Sequence, residues 1–141
     1  MRTIVCMLAA AAALLALYPQ AAHAQLRAKA AVTCVFAGQV LEYDCTIRLA
    51  NARTGELLSG LTVSVGADMP SMPGMHNVRP VQATEQAEKG VYKVRLELEM
   101  HGDWAVQIDL SGAVRDRVIA MLRFEDVEVK DVKPSPGKRG N

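Results

Sequence analysis

The chain lacks a dominant charge of either sign. Its 16 Lys and Arg stand against 15 Asp and Glu, for a formal net charge of +1. Basic and acidic residues are interspersed rather than gathered on a stripe, so nucleic acid is not expected as a partner. Motifs of the common chemistries are missing too: there is no phosphate-binding Gly-rich loop, no Gly-x-Ser-x-Gly and no His-Glu-x-x-His. Histidine is scarce at 3 residues, which leaves general-base schemes few candidates, and no enzyme activity is expected.

No apolar run is long enough to read as a convincing membrane span. The stretch at residues 4–17, preceded by Arg2 and followed by Ala22-His23-Ala24, instead reads as an export signal cleaved after Ala24, with an uncleaved anchor as the alternative. Residues 1–24 are set aside on that reading, and residues 25–130 have the size of one domain. Residues 131–141, with Lys133, Pro134, Pro136, Lys138 and Arg139, read as a flexible basic tail. The expected location is the bacterial periplasm, with no stable membrane anchor after cleavage. Cysteine usage agrees. Of 3 cysteines, Cys6 lies in the signal, which leaves the pair Cys34 and Cys45 in a compartment where disulfides persist.

The dominant hydrophobic period in the rest of the chain is two. Tyr92, Val94, Leu96, Leu98 and Met100 alternate with Lys93, Arg95, Glu97 and Glu99, and Trp104, Val106, Ile108 and Leu110 continue the pattern. His101-Gly102-Asp103 between the runs is a turn signal, so a hairpin is expected there, with Met100 pointing inward. Upstream, Leu41, Tyr43, Cys45, Ile47 and Leu49 share a face after an apolar strand carrying Cys34 and Phe36. If residues 38–40 connect them, parity permits a cross-strand Cys34–Cys45 disulfide, the alternative being a dithiol metal pair. Further strands are expected at residues 57–65, 78–84 and 117–129, the last interrupted near Glu125 and Asp126. Some seven short strands without a long amphipathic helix imply an all-β fold, an immunoglobulin-like antiparallel β-sandwich.

One segment stands out chemically. Residues 69–76 read Met-Pro-Ser-Met-Pro-Gly-Met-His, placing Met69, Met72, Met75 and His76 in a proline-stiffened loop. Thioethers are soft, neutral ligands, and three in a cup suit Cu(I) or Ag(I), with an imidazole as a fourth donor. Hard Mg²⁺ or Ca²⁺ would find no anionic oxygens in this set, and Zn²⁺ would lack its thiolates or multiple imidazoles. The expected cargo is copper, as Cu(I) first and Cu(II) second. A plainer reading is that flexible methionines cap an open end of the sandwich or touch a partner. Met100 and His101 form a second Met-His pair and secondary candidate metal ligands, with His101 able to reach the loop if both lie at the same end of the sandwich; their ordinary roles are core packing and a turn. Asp68 and Asp103 read as turn formers or as carboxylates that orient an imidazole. Met121, out of phase with Leu122 and Phe124, reads as structural.

The ordered elements Met69-Pro70-Ser71-Met72-Pro73-Gly74-Met75-His76, Gly90-Val91-Tyr92 and Leu98-Glu99-Met100-His101-Gly102-Asp103-Trp104 resemble the YtkA-like domain, related to the FixH family. The resemblance spans residues 31–129. It implies an immunoglobulin-like sandwich and a place in bacterial envelope copper handling, beside copper-transport, efflux or oxidase-assembly proteins. Carried over, Met72, Met75 and His76 match the Met-Pro-x-Met-x-His-like element and Trp104 its packed aromatic. Two departures stand: His76 directly follows Met75, and a cleavable signal replaces the membrane anchor usual in FixH proteins. The expected role is a soluble periplasmic Cu(I) carrier or buffer, with a metal-free interaction module of an efflux or assembly complex as the rival.

Overall fold

The computed structural model describes residues 26–133. The expected export signal and most of the expected basic tail lie outside them. Nine strands form two antiparallel sheets that face each other across the core. In chain order they are β1 (Ala28–Phe36), β2 (Glu42–Asn51), β3 (Thr62–Asp68), β4 (Asn77–Gln82), β5 (Thr84–Glu85), β6 (Val91–Glu97), β7 (Gly102–Ser111), β8 (Asp116–Phe124) and β9 (Val129–Asp131). One sheet runs β1-β2-β6-β5 and the other β4-β3-β7-β8-β9. This order is that of an immunoglobulin-like sandwich, with β9 added beyond the usual last strand. Among the described residues no helix is long and apolar enough to cross a membrane.

Alternation dictates the core. Tyr43, Ile47, Leu49, Tyr92 and Leu96 of one sheet meet Val63, Val65, Trp104, Val106, Ile108, Leu122 and Phe124 of the other, all fully buried or nearly so. The polar residues between them face water, as period two requires. β1 and β2 form the expected hairpin, with Cys34 directly opposite Cys45 and the two joined by a disulfide across a Cα separation of 4.0 Å. That bridge excludes the dithiol metal pair. Glu125 and Asp126 break the last expected strand into β8 and β9, which pair as a short hairpin.

The hairpin expected between residues 92–100 and 104–110 does not form. β6 pairs with β2 and β5, whereas β7 pairs with β3 and β8. The chain leaves the first sheet after Glu97 and enters the second at Gly102, so residues 98–101 bridge the two layers. Alternation ends with the strand, and Met100 is turned outward, 36% exposed, instead of into the core. The segment expected as one strand at residues 78–84 also changes sheet, running as β4 beside β3 and then as β5 beside β6. Pro80 is tolerated because β4 is an edge strand. Of the strand expected at residues 57–65 only the second half forms; Leu57 contributes a lone bridge to Ala50.

With β4 and β5 running on as one, successive strands alternate in direction, which places four connections at one end of the sandwich: residues 37–41, 69–76, 98–101 and 125–128. Segment 98–101 ties them together. Leu98 N–H donates to Leu41 O at 2.9 Å, His76 meets Glu99 at 2.6 Å and His101 approaches Asp126 at 3.5 Å.

Candidate metal centre

The loop at residues 69–76 is built from two consecutive β-turns. Met72 N–H donates to Met69 O at 3.0 Å, and Met75 N–H to Met72 O at 3.1 Å. Each turn has proline at its second position, where a fixed φ near −65° is favourable. The second turn has Gly74 at its third position with φ +75°, the left-handed conformation a type II turn requires. The three-residue methionine spacing therefore has a structural cause: Met69, Met72 and Met75 occupy the corners of the turns. Neighbouring corners stand within about 7 Å at Cα, the span that defines such a turn. Asp68 Oδ1 and His76 O both accept from Met69 N–H, at 3.0 and 3.3 Å, and so close the base of the loop.

The side chains are graded from core to solvent. Met69 is 3% exposed and belongs to the core. Met72 is half-buried and packs against that core, whereas Met75 is 75% exposed. The three thioethers thus do not stand together as a cup open to water. His76 is half-buried at the mouth of β4, and its Nδ1 lies 2.6 Å from Glu99 Oε2. Beside an ionised carboxylate, which only accepts, a neutral ring carries its proton on Nδ1 and its lone pair on Nε2. A groove of about 650 Å³ between β4 and the end of β6, lined in part by Val78, Val81, Leu98 and Glu99, opens beside this contact.

The second Met-His pair lies at the same end. Met100 is at the surface, and its carbonyl accepts from Trp104 Nε1–H at 3.1 Å, which locks the buried indole under the rim. His101 Nε2 faces Asp126. For Asp68 and Asp103 the sequence offers turn formation first and imidazole orientation as the alternative, and in the structure other residues face the imidazoles. Asp68 accepts from the backbone of Met69, while Asp103 accepts from both Nε and Nη2 of Arg123 across β7 and β8, at 2.6 and 2.8 Å. Hydrogen bonds from Arg123 hold the Asp103 carboxyl below the usual carboxylate range, aided by the guanidinium charge. Glu99 and Asp126 are the carboxylates that meet imidazoles. Neither was legible in advance, because each depends on which loops share an end.

Chemically, the rim offers thioethers at Met72, Met75 and Met100 and imidazoles at His76 and His101. Among the described residues no group of three or more His, Cys, Asp or Glu is placed to hold a metal ion. The imidazoles and carboxylates at this end stand only in pairs, whereas the thioether donors form a separate, soft set. Met121 is half-buried on β8 opposite Ala105, in the row of the sheet that also holds Asp68.

Residues 29–109 match the family described as YtkA-like. The match covers more than half of the chain, runs from β1 into β7 and includes both Met-His segments. No curated protein and no solved structure matches the chain. With that match extending over both layers of the sandwich and over the methionine loop itself, the chain belongs to the YtkA-like family.

Proposed function

We propose that this YtkA-like domain binds Cu(I) as cargo at the loop-rich end of its sandwich and acts as a carrier or buffer in periplasmic copper handling. Met72, Met75 and His76 are the principal ligands, with Met100 and His101 beside them. Met69 anchors the loop, since its thioether is spent on core packing. The observation that carries this reading is the meeting of segments 69–76 and 98–101 through His76 and Glu99 at 2.6 Å, which places both Met-His pairs on one rim. Neutral soft donors hold a monovalent soft ion without burying net negative charge, and exposed ligands release it stepwise to an acceptor. The acceptor would be an envelope copper-transport, efflux or oxidase-assembly protein. An extracytoplasmic setting is supported by the Cys34–Cys45 disulfide, because cytosolic thiols are kept reduced.

The test is anaerobic Cu(I) titration against a competing chelator, on the parent and on the Met72→Leu, Met75→Leu double variant. The parent should take up about one ion, as a single soft-donor site would. The variant should lose that uptake while its unfolding midpoint stays put. Equal uptake by both proteins overturns the reading.

A specific observation also favours a metal-free interaction module. Each of the four connections at this end exposes one large apolar side chain: Val40 at 79%, Met75 at 75%, Met100 at 36% and Val127 at 71%. Clustered exposed apolar residues mark contact surfaces. On this second reading the double variant loses partner binding and the parent never took up copper.

A further inference from the structure

We infer that Glu99 is a positioning residue for His76: it holds the imidazole in the tautomer that presents Nε2, and not Nδ1, to the ion. The inference rests on the proposed Cu(I) site and names a part of it that the ligand chemistry alone does not supply.

Three observations carry it. The contact between His76 Nδ1 and Glu99 Oε2 is short, at 2.6 Å, just under the usual span of a charge-assisted N–H···O bond. A carboxylate accepts and does not donate, so it selects the ring form with its proton on Nδ1, whose one free lone pair is on Nε2.

Secondly, Glu99 stands on a fixed platform. The residue before it, Leu98, donates its N–H to Leu41 O at 2.9 Å, and the residue after it, Met100, receives the Trp104 indole N–H at 3.1 Å. Its backbone is clamped on both sides, and the indole that clamps it is fully buried. His76 is likewise tied through its carbonyl to Met69 N–H at 3.3 Å, and Met69 is itself anchored in the core. Both partners of the contact are therefore held by the sandwich and not by each other alone.

Thirdly, the other histidine on the rim is less constrained. His101 approaches Asp126 at 3.5 Å, and the Asp126 side chain is 89% exposed. The arrangement separates the two imidazoles, with His76 preorganised as a ligand and His101 free to turn. A metal-ligating histidine whose second nitrogen donates to a carboxylate gains basicity as well as direction, and losing such a partner typically lowers metal affinity by about 10–100-fold. Glu99 would also place a negative charge next to a site that becomes cationic when neutral donors take up Cu(I).

The experiment uses ¹⁵N-labelled full-length mature protein, parent and Glu99→Ala, in mildly alkaline buffer where ordinary imidazoles are neutral. Ring-nitrogen NMR of the copper-free parent should show Nδ1 of His76 protonated and Nε2 as the lone-pair nitrogen. In Glu99→Ala the ring should relax to a mixture of tautomers, with an unchanged unfolding midpoint. On Cu(I) loading the parent should show the metal-induced shift at Nε2, and chelator competition should find affinity in Glu99→Ala lower by about 10–100-fold. Metal at Nδ1 of the parent, or an identical tautomer and affinity in the variant, overturns the inference. A parent that binds no Cu(I) at all overturns the proposed function, whereas a copper-free parent whose His76 tautomer matches that of Glu99→Ala overturns this inference, because the tautomer reports the orienting contact without any ion.

Discussion

Met69 packs its thioether methyl against Gly102: a Cβ on that glycine would stand 3.2 Å from Met69 Cε. The contact joins the methionine loop to the point where the chain crosses from one sheet to the other. Gly102 also has φ +137°, a conformation L side chains rarely adopt. Gly102→Ala should therefore lower stability by about 1–3 kcal/mol, through backbone strain and displacement of the methionine together. Met69→Leu, which conserves volume, should cost less than about 1.5 kcal/mol, and Met69→Ala about 2–5 kcal/mol. Urea unfolding midpoints check all three. Met69→Leu should keep Cu(I) uptake, which distinguishes an anchor from a ligand; loss of uptake at unchanged stability would make Met69 a donor.

The gradation of the methionines sets an order of oxidation. Peroxide attacks accessible thioethers first, so Met75 at 75% exposure should form sulfoxide ahead of Met100 at 36%, and both well ahead of Met69 at 3%. Peptide mass spectrometry over a time course reads the order. Prior loading with Ag(I), a stable stand-in for Cu(I), should protect Met72 and Met75 and leave the rate at an unligated surface methionine unchanged. Protection confined to Met69, or to none of them, contradicts the proposed site.

How much of this was legible in the sequence depends on the range over which each signal acts. Cys34 and Cys45 sit on strands joined by a short loop, so parity alone aligned them, and the register has them directly opposite. The charged pair Glu125-Asp126 likewise marked the break between β8 and β9. Alternation identified the inward faces of β6 and β7 correctly but carried no information about which strand lies beside which. The same pattern suits a hairpin within one sheet and a crossing between two. Extending it past Glu97 gave Met100 the wrong direction, because Leu98 preserves the hydrophobic phase after the backbone has left the sheet. In the site, the sulfurs and imidazoles were visible as residue types, and the turn chemistry of Pro70, Pro73 and Gly74 was visible as a loop. The burial of Met69 and the pairing of His76 with Glu99 were not, since both come from contacts between segments more than twenty residues apart.

The disulfide should carry a measurable share of stability. It closes a loop between residues 11 apart in sequence. Loop-closure entropy for that length predicts a loss of about 3 kcal/mol when the bridge is absent. Cys34→Ala with Cys45→Ala, or the parent in strong reductant, should unfold at correspondingly lower denaturant. Because β1 is an edge strand, the same variants should lose amide protection in β1 and the facing half of β2 more than in β7. A uniform loss over both sheets would mean that the bridge stabilises only through the unfolded chain.

Stability should fall at both ends of the pH scale, for different groups. Hydrogen bonds from Arg95 and Arg123 lower the carboxyl pKa values of Asp44 and Asp103 in the folded protein. The unfolded chain then binds protons first as pH drops, so their contribution is complete above the ordinary carboxylate value of about 3.9 and disappears as pH falls through the lower folded values. Asp103→Asn should flatten that acid limb by lowering stability near neutrality and leaving it nearly unchanged below the folded value, and the difference should be small because the Asp103–Arg123 pair is partly exposed. The alkaline limb belongs to Tyr43 and Tyr92. Burial, followed for Tyr43 by the charge of Asp126, raises its phenol, and burial is also the main cause at Tyr92, with Glu85 adding to it. The unfolded chain ionises first as pH climbs beyond about 10, so the stability these phenols confer is present below that value and is lost towards the higher folded one. Tyr43 also donates to Glu125 O at 2.7 Å beneath the rim. Tyr43→Phe should cost about 1 kcal/mol at neutral pH for that hydrogen bond and should make the alkaline limb shallower. Unfolding midpoints at stepped pH separate the two effects: the lost hydrogen bond lowers the whole curve, and the lost phenol changes only its slope above the unfolded tyrosine value.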